Sequence, residues 1–128
     1  MTAESCKVLV VDDNRDAADA AVMLLRIWGH EAVAAYSGHE CIALAKTFDP
    51  DVVLMDLGLP RMDGFRAKEE LEQHCPGVKV IALTGFTHAD IVRRTREAGF
   101  TDYLMKPATA ADLERVVDRQ CAAGKESR

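Results

Sequence analysis

Lys7-Val8-Leu9-Val10-Val11 runs directly into Asp12-Asp13-Asn14. The first five residues are rich in β-branched side chains and apolar on both faces. Alternation would suit a strand with one face in water. Continuous apolarity suits a strand covered on both faces, as in a parallel sheet. Working outward, Val52-Val53-Leu54-Met55 and Val78-Lys79-Val80-Ile81-Ala82-Leu83 read the same way. Glu31-Ala32-Val33-Ala34-Ala35 and Asp102-Tyr103-Leu104-Met105 are weaker runs of the kind found at sheet edges.

Amphipathic segments separate these runs. Asn14 can cap a helix that ends at Trp28 and Gly29. Its residues Ala17, Ala20, Ala21, Leu24 and Trp28 recur at helical spacing and are expected to face the core. Ser37 starts a second helix through Cys41, Ala45 and Phe48, with Pro50 beyond its end. A third spans Asp63 to His74 and stops before Pro76-Gly77; a fourth runs from Thr87 or His88 to Ala98, closed by Gly99. Thr109 and Asp112 resemble a capping box for a fifth, with Leu113, Val116 and Val117 inward. Five strand–helix units in series imply an α/β fold, a parallel sheet with helices on both faces and right-handed crossovers.

The chain has 128 residues, 48% of them apolar, enough for one core and against disorder. A net charge of -5 argues against nucleic acid or an anionic membrane as main partner. No run is long enough to span a membrane, and Met1-Thr2-Ala3-Glu4-Ser5 lacks the pattern of a signal peptide, so a cytoplasmic location is expected. Cys6, Cys41, Cys75 and Cys121 lie far apart, form no C-x-x-C pair and read as small apolar residues in or near the core. His30, His39, His74 and His88 have no ligand spacing and are expected on the surface or at helix ends. Residues 5–123 are expected to form the domain and 124–128 a frayed polar tail.

In such sheets chemistry collects at the carboxyl ends of the strands, where the strand order reverses. Those ends carry Asp12-Asp13-Asn14, Asp56-Leu57-Gly58-Leu59-Pro60, Thr84-Gly85-Phe86 and Lys106-Pro107. Three crowded carboxylates must take up protons or bind a cation, and an all-oxygen set suits a hard ion such as magnesium. The acidic first loop would repel a dinucleotide's pyrophosphate, and no phosphate-binding loop of the G-x-x-x-x-G-K-[ST] type exists. An aspartate can itself accept a phosphoryl group. That transfer needs positioning and charge neutralisation more than acid–base work. Taken singly, Asp12 and Asp13 also serve as helix caps, Asp56 as a loop carboxylate and Lys106 as a solvated cation; their convergence on one rim is what points to a site.

The set Val10-Val11-Asp12-Asp13-Asn14, Met55-Asp56-Leu57-Gly58-Leu59-Pro60, Met62-Asp63-Gly64, Leu83-Thr84-Gly85 and Leu104-Met105-Lys106-Pro107 resembles the receiver domains of two-component response regulators over nearly the whole chain. The resemblance implies a flavodoxin-like (βα)5 fold with strand order 2-1-3-4-5. It implies Asp56 as phosphoacceptor, and Asp12, Asp13, Asp56 and the backbone carbonyl of Gly58 as ligands of Mg2+, with Mn2+ able to substitute. Thr84 then corresponds to the switch hydroxyl, Lys106 to the phosphate-contacting lysine and Tyr103 to the switch aromatic. The Lys106–Pro107 peptide is expected to be cis. Gly58 and Phe86 are less typical neighbours and bear on water access to a phosphoaspartate, while Arg61 is expected in solvent.

By the same resemblance the donor is a histidine kinase or histidine phosphotransfer protein. Asn14, Arg15, Ala18 and Val22 are candidates for its docking strip, Ala18 and Val22 as exposed apolar residues beside the core stripe. No output module fits in the chain, which looks like a stand-alone receiver or the receiver of a hybrid histidine kinase, either a monomer or a weak phosphorylation-dependent dimer. Its output is a protein partner read through the fourth helix, fifth strand and fifth helix, where Arg93, Arg94 and Arg96 cluster. Two other classes compete. A phosphatase with an aspartate nucleophile usually carries a second Asp where Gly58 stands, and a flavodoxin needs a hydroxyl- and glycine-rich first loop that is absent.

Overall fold

Each β-strand sends alternate side chains to opposite faces, and here the central strands are apolar on both faces and feed two cores. The computed structural model describes residues 5–85 and 89–126. Strands β1 (Lys7–Val11), β2 (Glu31–Ala35), β3 (Val52–Asp56), β4 (Lys79–Thr84) and β5 (Asp102–Met105) alternate with helices α1 (Arg15–Ile27), α2 (Gly38–Phe48), α3 (Gly64–His74), α4 (Ala89–Glu97) and α5 (Ala110–Glu126). The strands form one parallel sheet of order β2-β1-β3-β4-β5. This is the flavodoxin-like arrangement expected. The expected start of the fourth helix at Thr87 or His88, and Phe86, lie outside the described residues.

Val8, Val10, Leu54, Ile81 and Leu104 turn to one face and pack with α1 and α5 through Ala18, Val22, Leu25, Leu113, Val116 and Val117. Leu9, Val11, Val53, Met55 and Ala82 turn to the other and meet α2 and α3 through Cys41, Ala45, Ala67 and Leu71. The caps follow the sequence. The side chains of Asn14, Ser37, Asp63 and Thr109 accept from backbone N–H groups in the first turns of α1, α2, α3 and α5. Helix α1 ends in a Schellman turn at Gly29 (φ 97°), with Gly29 N–H donating to Arg26 and His30 N–H to Leu25.

Four details differ from expectation. First, α1 is rotated. Ala18, Val22 and Leu25 are its buried residues, Ala21, Leu24 and Trp28 lie at the margin, and Ala17 and Ala20 face out. The helix carries two overlapping apolar stripes, and the sheet takes the one with the branched Val22 and Leu25. Second, Cys6 and Cys121 are joined in a disulfide across 115 residues, with Cα atoms 6.0 Å apart; it ties the start of β1 to α5. All four cysteines are buried as expected, but pairing depends on where α5 lies, which spacing does not reveal. Third, α5 continues to Glu126. Ala122, Ala123, Lys125 and Glu126 are good helix formers, and one glycine among them costs only about 1 kcal/mol. Fourth, His30 sits at a helix end but is buried, its Nδ1 accepting from Cys6 N–H at 3.1 Å and its Nε2 3.6 Å from Asp118.

Candidate functional site

Because β1 lies between β2 and β3, the connections leave the sheet in opposite directions at the ends of β1 and β3. That opening is where Asp12 and Asp56 stand. Asp12 directly follows β1 and is buried, its Oδ1 accepting from Asn14 N–H at 3.0 Å. Asp13 beside it is exposed. Asp56 is the last residue of β3 and is buried, its Oδ1 accepting from Gly58 N–H at 2.9 Å. Ligating oxygens of Asp12, Asp13 and Asp56 come within 4.8 Å of one another.

Lys106 reaches in from the end of β5. Its Nζ lies 2.9 Å from Asp12 Oδ2 and 3.2 Å from Asp56 Oδ2. Its backbone N–H donates to Thr84 O at 2.8 Å, which clips the β5 exit to the end of β4. The Lys106–Pro107 peptide is cis. Thr84 is buried and lines a cleft of about 390 Å³ with Asp56, Gly58 and Lys106. Burial pushes the Asp56 carboxyl above the ordinary carboxylate value, aided by the charge of Asp12 and opposed by Gly58 N–H and Lys106. For Lys106 burial pulls downward, but hydrogen bonding to Asp12 and the charges of Asp56 and Asp12 outweigh it and hold the ammonium above its usual value.

The helix after the Asp56 loop is packed tightly against it. A Cβ at Gly64 would fall 2.6 Å from Asp56 O and 2.8 Å from Leu57 Cα. Only glycine lets α3 begin so close to the backbone of Asp56 and Leu57. At Gly58 the position is open, and an added Cβ would meet only Asp56 Oδ1 at 3.6 Å.

The family described as the response regulator receiver domain matches residues 8–118. This chain belongs to that family. The receiver is 31% identical over 120 residues to the transcriptional regulatory protein ZraR of Salmonella typhimurium, covering 94% of this chain and 27% of that protein. It is 36% identical over 110 residues to the transcriptional regulatory protein PdtaR of Mycobacterium tuberculosis, covering 84% of this chain and 52% of that protein. The receiver thus spans between about a quarter and a half of these relatives. Among solved structures, a CheY-like response regulator receiver domain protein from Methanospirillum hungatei superposes with a TM-score of 0.90 at 26% identity, covering 98% of this chain and 100% of that one.

Within this receiver, Asp12, Asp13, Asp56, Gly58, Thr84 and Lys106 gather at one rim as expected. Tyr103 stands apart on β5, 44% exposed, with Met105 beside it at 51%. Asn14 and Arg15 are exposed at the start of α1, with the Arg15 guanidinium over the Tyr36 ring at 4.1 Å. Ala18 and Val22 are not a docking strip, because the rotation of α1 buries both. The apolar surface of α1 is instead Ala17, Ala20, Met23 and Ile27, with Leu24 half-buried. Ala17, Ala20, Ala21 and Leu24 line a groove of about 550 Å³ that reaches Asp12, Lys106 and Pro107. Sequence reasoning did not place three lining residues at the Asp56 cleft, Phe65 of α3 and Ile91 and Arg94 of α4. Nothing in linear spacing joins them. Arg61 is exposed, as expected.

No described helix is long and apolar enough to cross a membrane.

Proposed function

We propose that this receiver is a phosphoacceptor switch in which Asp56 takes a phosphoryl group from a phosphohistidine. The observation that carries the reading is the convergence of Asp12, Asp13, Asp56 and Lys106 at the reversal point of the sheet. A carboxylate oxygen of Asp56 forms the new bond to phosphorus as the bond to the donor imidazole breaks. The donor set fits Mg2+, a hard ion that takes carboxylate oxygens and keeps room for water and phosphate; Mn2+ would serve as well. Asp12, Asp13, Asp56 and the Gly58 carbonyl would hold it. When bound, the ion neutralises charge on the phosphoryl oxygens. Lys106 already bridges Asp12 and Asp56 and is placed to follow the phosphoryl charge, while the Thr84 hydroxyl can donate to a phosphoryl oxygen.

The donor is a histidine kinase or histidine phosphotransfer protein. Its helices would dock on Asn14, Arg15 and the outward face of α1, whose groove opens beside Lys106. Phosphorylation replaces a singly charged carboxylate by a group carrying roughly two negative charges, a net gain of about one. Thr84 and Lys106 then draw inward, Tyr103 turns from its exposed position, and the face of α4, β5 and α5 changes for a protein partner. Turnover is limited to phosphorylation and dephosphorylation of Asp56 itself, so the chain is a signalling protein and not an enzyme. It acts in the cytoplasm without binding nucleic acid or membrane, as a monomer or a weak phosphorylation-dependent dimer. Residues 5–123 form the functional unit.

Incubation with acetyl phosphate or phosphoramidate and magnesium should add one phosphoryl group by intact mass, and Asp56→Asn should abolish it. Full labelling of that variant would overturn the assignment.

A further inference from the structure

Arg94 of α4 lies with its guanidinium 4.5 Å from the centre of the Phe65 ring. Both side chains line the same cleft as Asp56, Thr84 and Lys106. Phe65 is itself held in place. Its ring meets that of Phe100 edge-on, at 5.6 Å and 85°, and Phe100 is buried with Lys68 Nζ 5.4 Å from its ring centre. Stacking uses the flat face of a guanidinium and leaves its in-plane N–H donors available. The neighbouring Arg93 is committed to Asp90 and Glu97, whereas Arg94 makes no ion pair among the described residues.

The charges of the site explain why such a cation is useful. Three carboxylates would be balanced by Lys106 together with the one divalent ion that the proposed site would hold. Once the Asp56 carboxylate becomes an acyl phosphate carrying roughly two charges, about one negative charge is left over. Arginine suits it, because the fork of donors matches two oxygens of one phosphoryl group.

We propose that Arg94 is a phosphoryl-binding residue of this receiver, a second cation that Phe65 holds at the mouth of the cleft and that closes on the terminal oxygens of the phosphoryl group. The proposal rests on Asp56 as acceptor. It gives α4 a direct bond to the phosphoryl group, in addition to Thr84 on β4 and Lys106 at the end of β5. The Phe65 ring is a platform that keeps the guanidinium oriented, so Phe65 is a positioning residue.

Beryllofluoride with magnesium, a stable stand-in for the phosphoryl group, is the probe. Its apparent dissociation constant is read from chemical shifts near Asp56 in the intact chain. R94A should weaken binding about tenfold, and R94K should recover part of the loss. F65L should weaken it several-fold with Arg94 intact. R96A removes an exposed arginine of the same helix and should leave binding within twofold of wild type. The Arg94 Nε–H resonance should shift on saturation of wild type, a signal that a structural role would not give. If wild type binds while R94A matches it, or if R96A weakens binding as much as R94A, the proposal is overturned and the acceptor reading stands. If wild type takes up no beryllofluoride, the acceptor reading fails and the proposal with it.

Discussion

At the scale of single residues, the site is poised by opposing influences on Asp56. Burial and the neighbouring Asp12 raise its carboxyl, while Gly58 N–H and Lys106 hold it back, and the balance is upward. The sign of the linkage follows. A carboxyl whose folded value lies above its unfolded value binds protons more tightly in the native state, so its ionisation lowers stability as pH rises through that window. Asp56→Asn keeps an oxygen for the Gly58 N–H and removes the charge. Without metal at pH 7 the variant should be more stable than wild type by about 1 to 2 kcal/mol, the scale of a screened repulsion. That margin should shrink as pH falls toward the ordinary carboxylate range. On the proposed reading magnesium binds the native site selectively and should stabilise wild type more than the variant. Urea unfolding in EDTA at several pH values, then in millimolar magnesium, checks all three. A variant less stable than wild type at pH 7 would mean that the carboxylate is structural.

At the scale of elements, α1 is the instructive case. Ala17, Ala20 and Leu24 and the stripe Ala18, Val22 and Leu25 are each at helical spacing, and only the second is fully buried. The first is left as an apolar face that opens into the groove beside Lys106. Ala20 faces out, so Ala20→Gln should leave the fold intact. It should slow phosphotransfer from a phosphohistidine donor by roughly tenfold, or about 1.4 kcal/mol, because a polar side chain is forced into an apolar contact. Labelling by acetyl phosphate, which needs no docking, should be unchanged. Equal loss with both donors would assign Ala20 to the folding of the site and not to the donor.

At the scale of the molecule, the Cys6–Cys121 bond closes a loop spanning 115 residues and joins the two ends of the chain's core. Loop-closure entropy for so long a loop amounts to about 3 to 5 kcal/mol. Reduction, or Cys121→Ser, should lower the unfolding free energy by about that amount in urea titrations; unchanged midpoints would remove the bond from the account of stability. Cys41 and Cys75 are the other two cysteines, both buried. Burial pushes the Cys41 thiol up to about 12, so it should resist alkylation at neutral pH until the chain unfolds.

The five strands, four of the five helix starts and the placing of acidic residues at strand ends were legible in the sequence because each is local. A strand covered on both faces needs a continuous apolar run, a helix needs a cap, and a residue at a strand's carboxyl end is placed by the strand itself. The rotation of α1, the pairing of Cys6 with Cys121 and the stacking of Arg94 on Phe65 were decided only in the folded structure. Each depends on how one element packs against another far away in the chain. Periodicity offers two stripes on α1 without choosing between them, and spacing says nothing about which side chains from different helices meet above the same cleft.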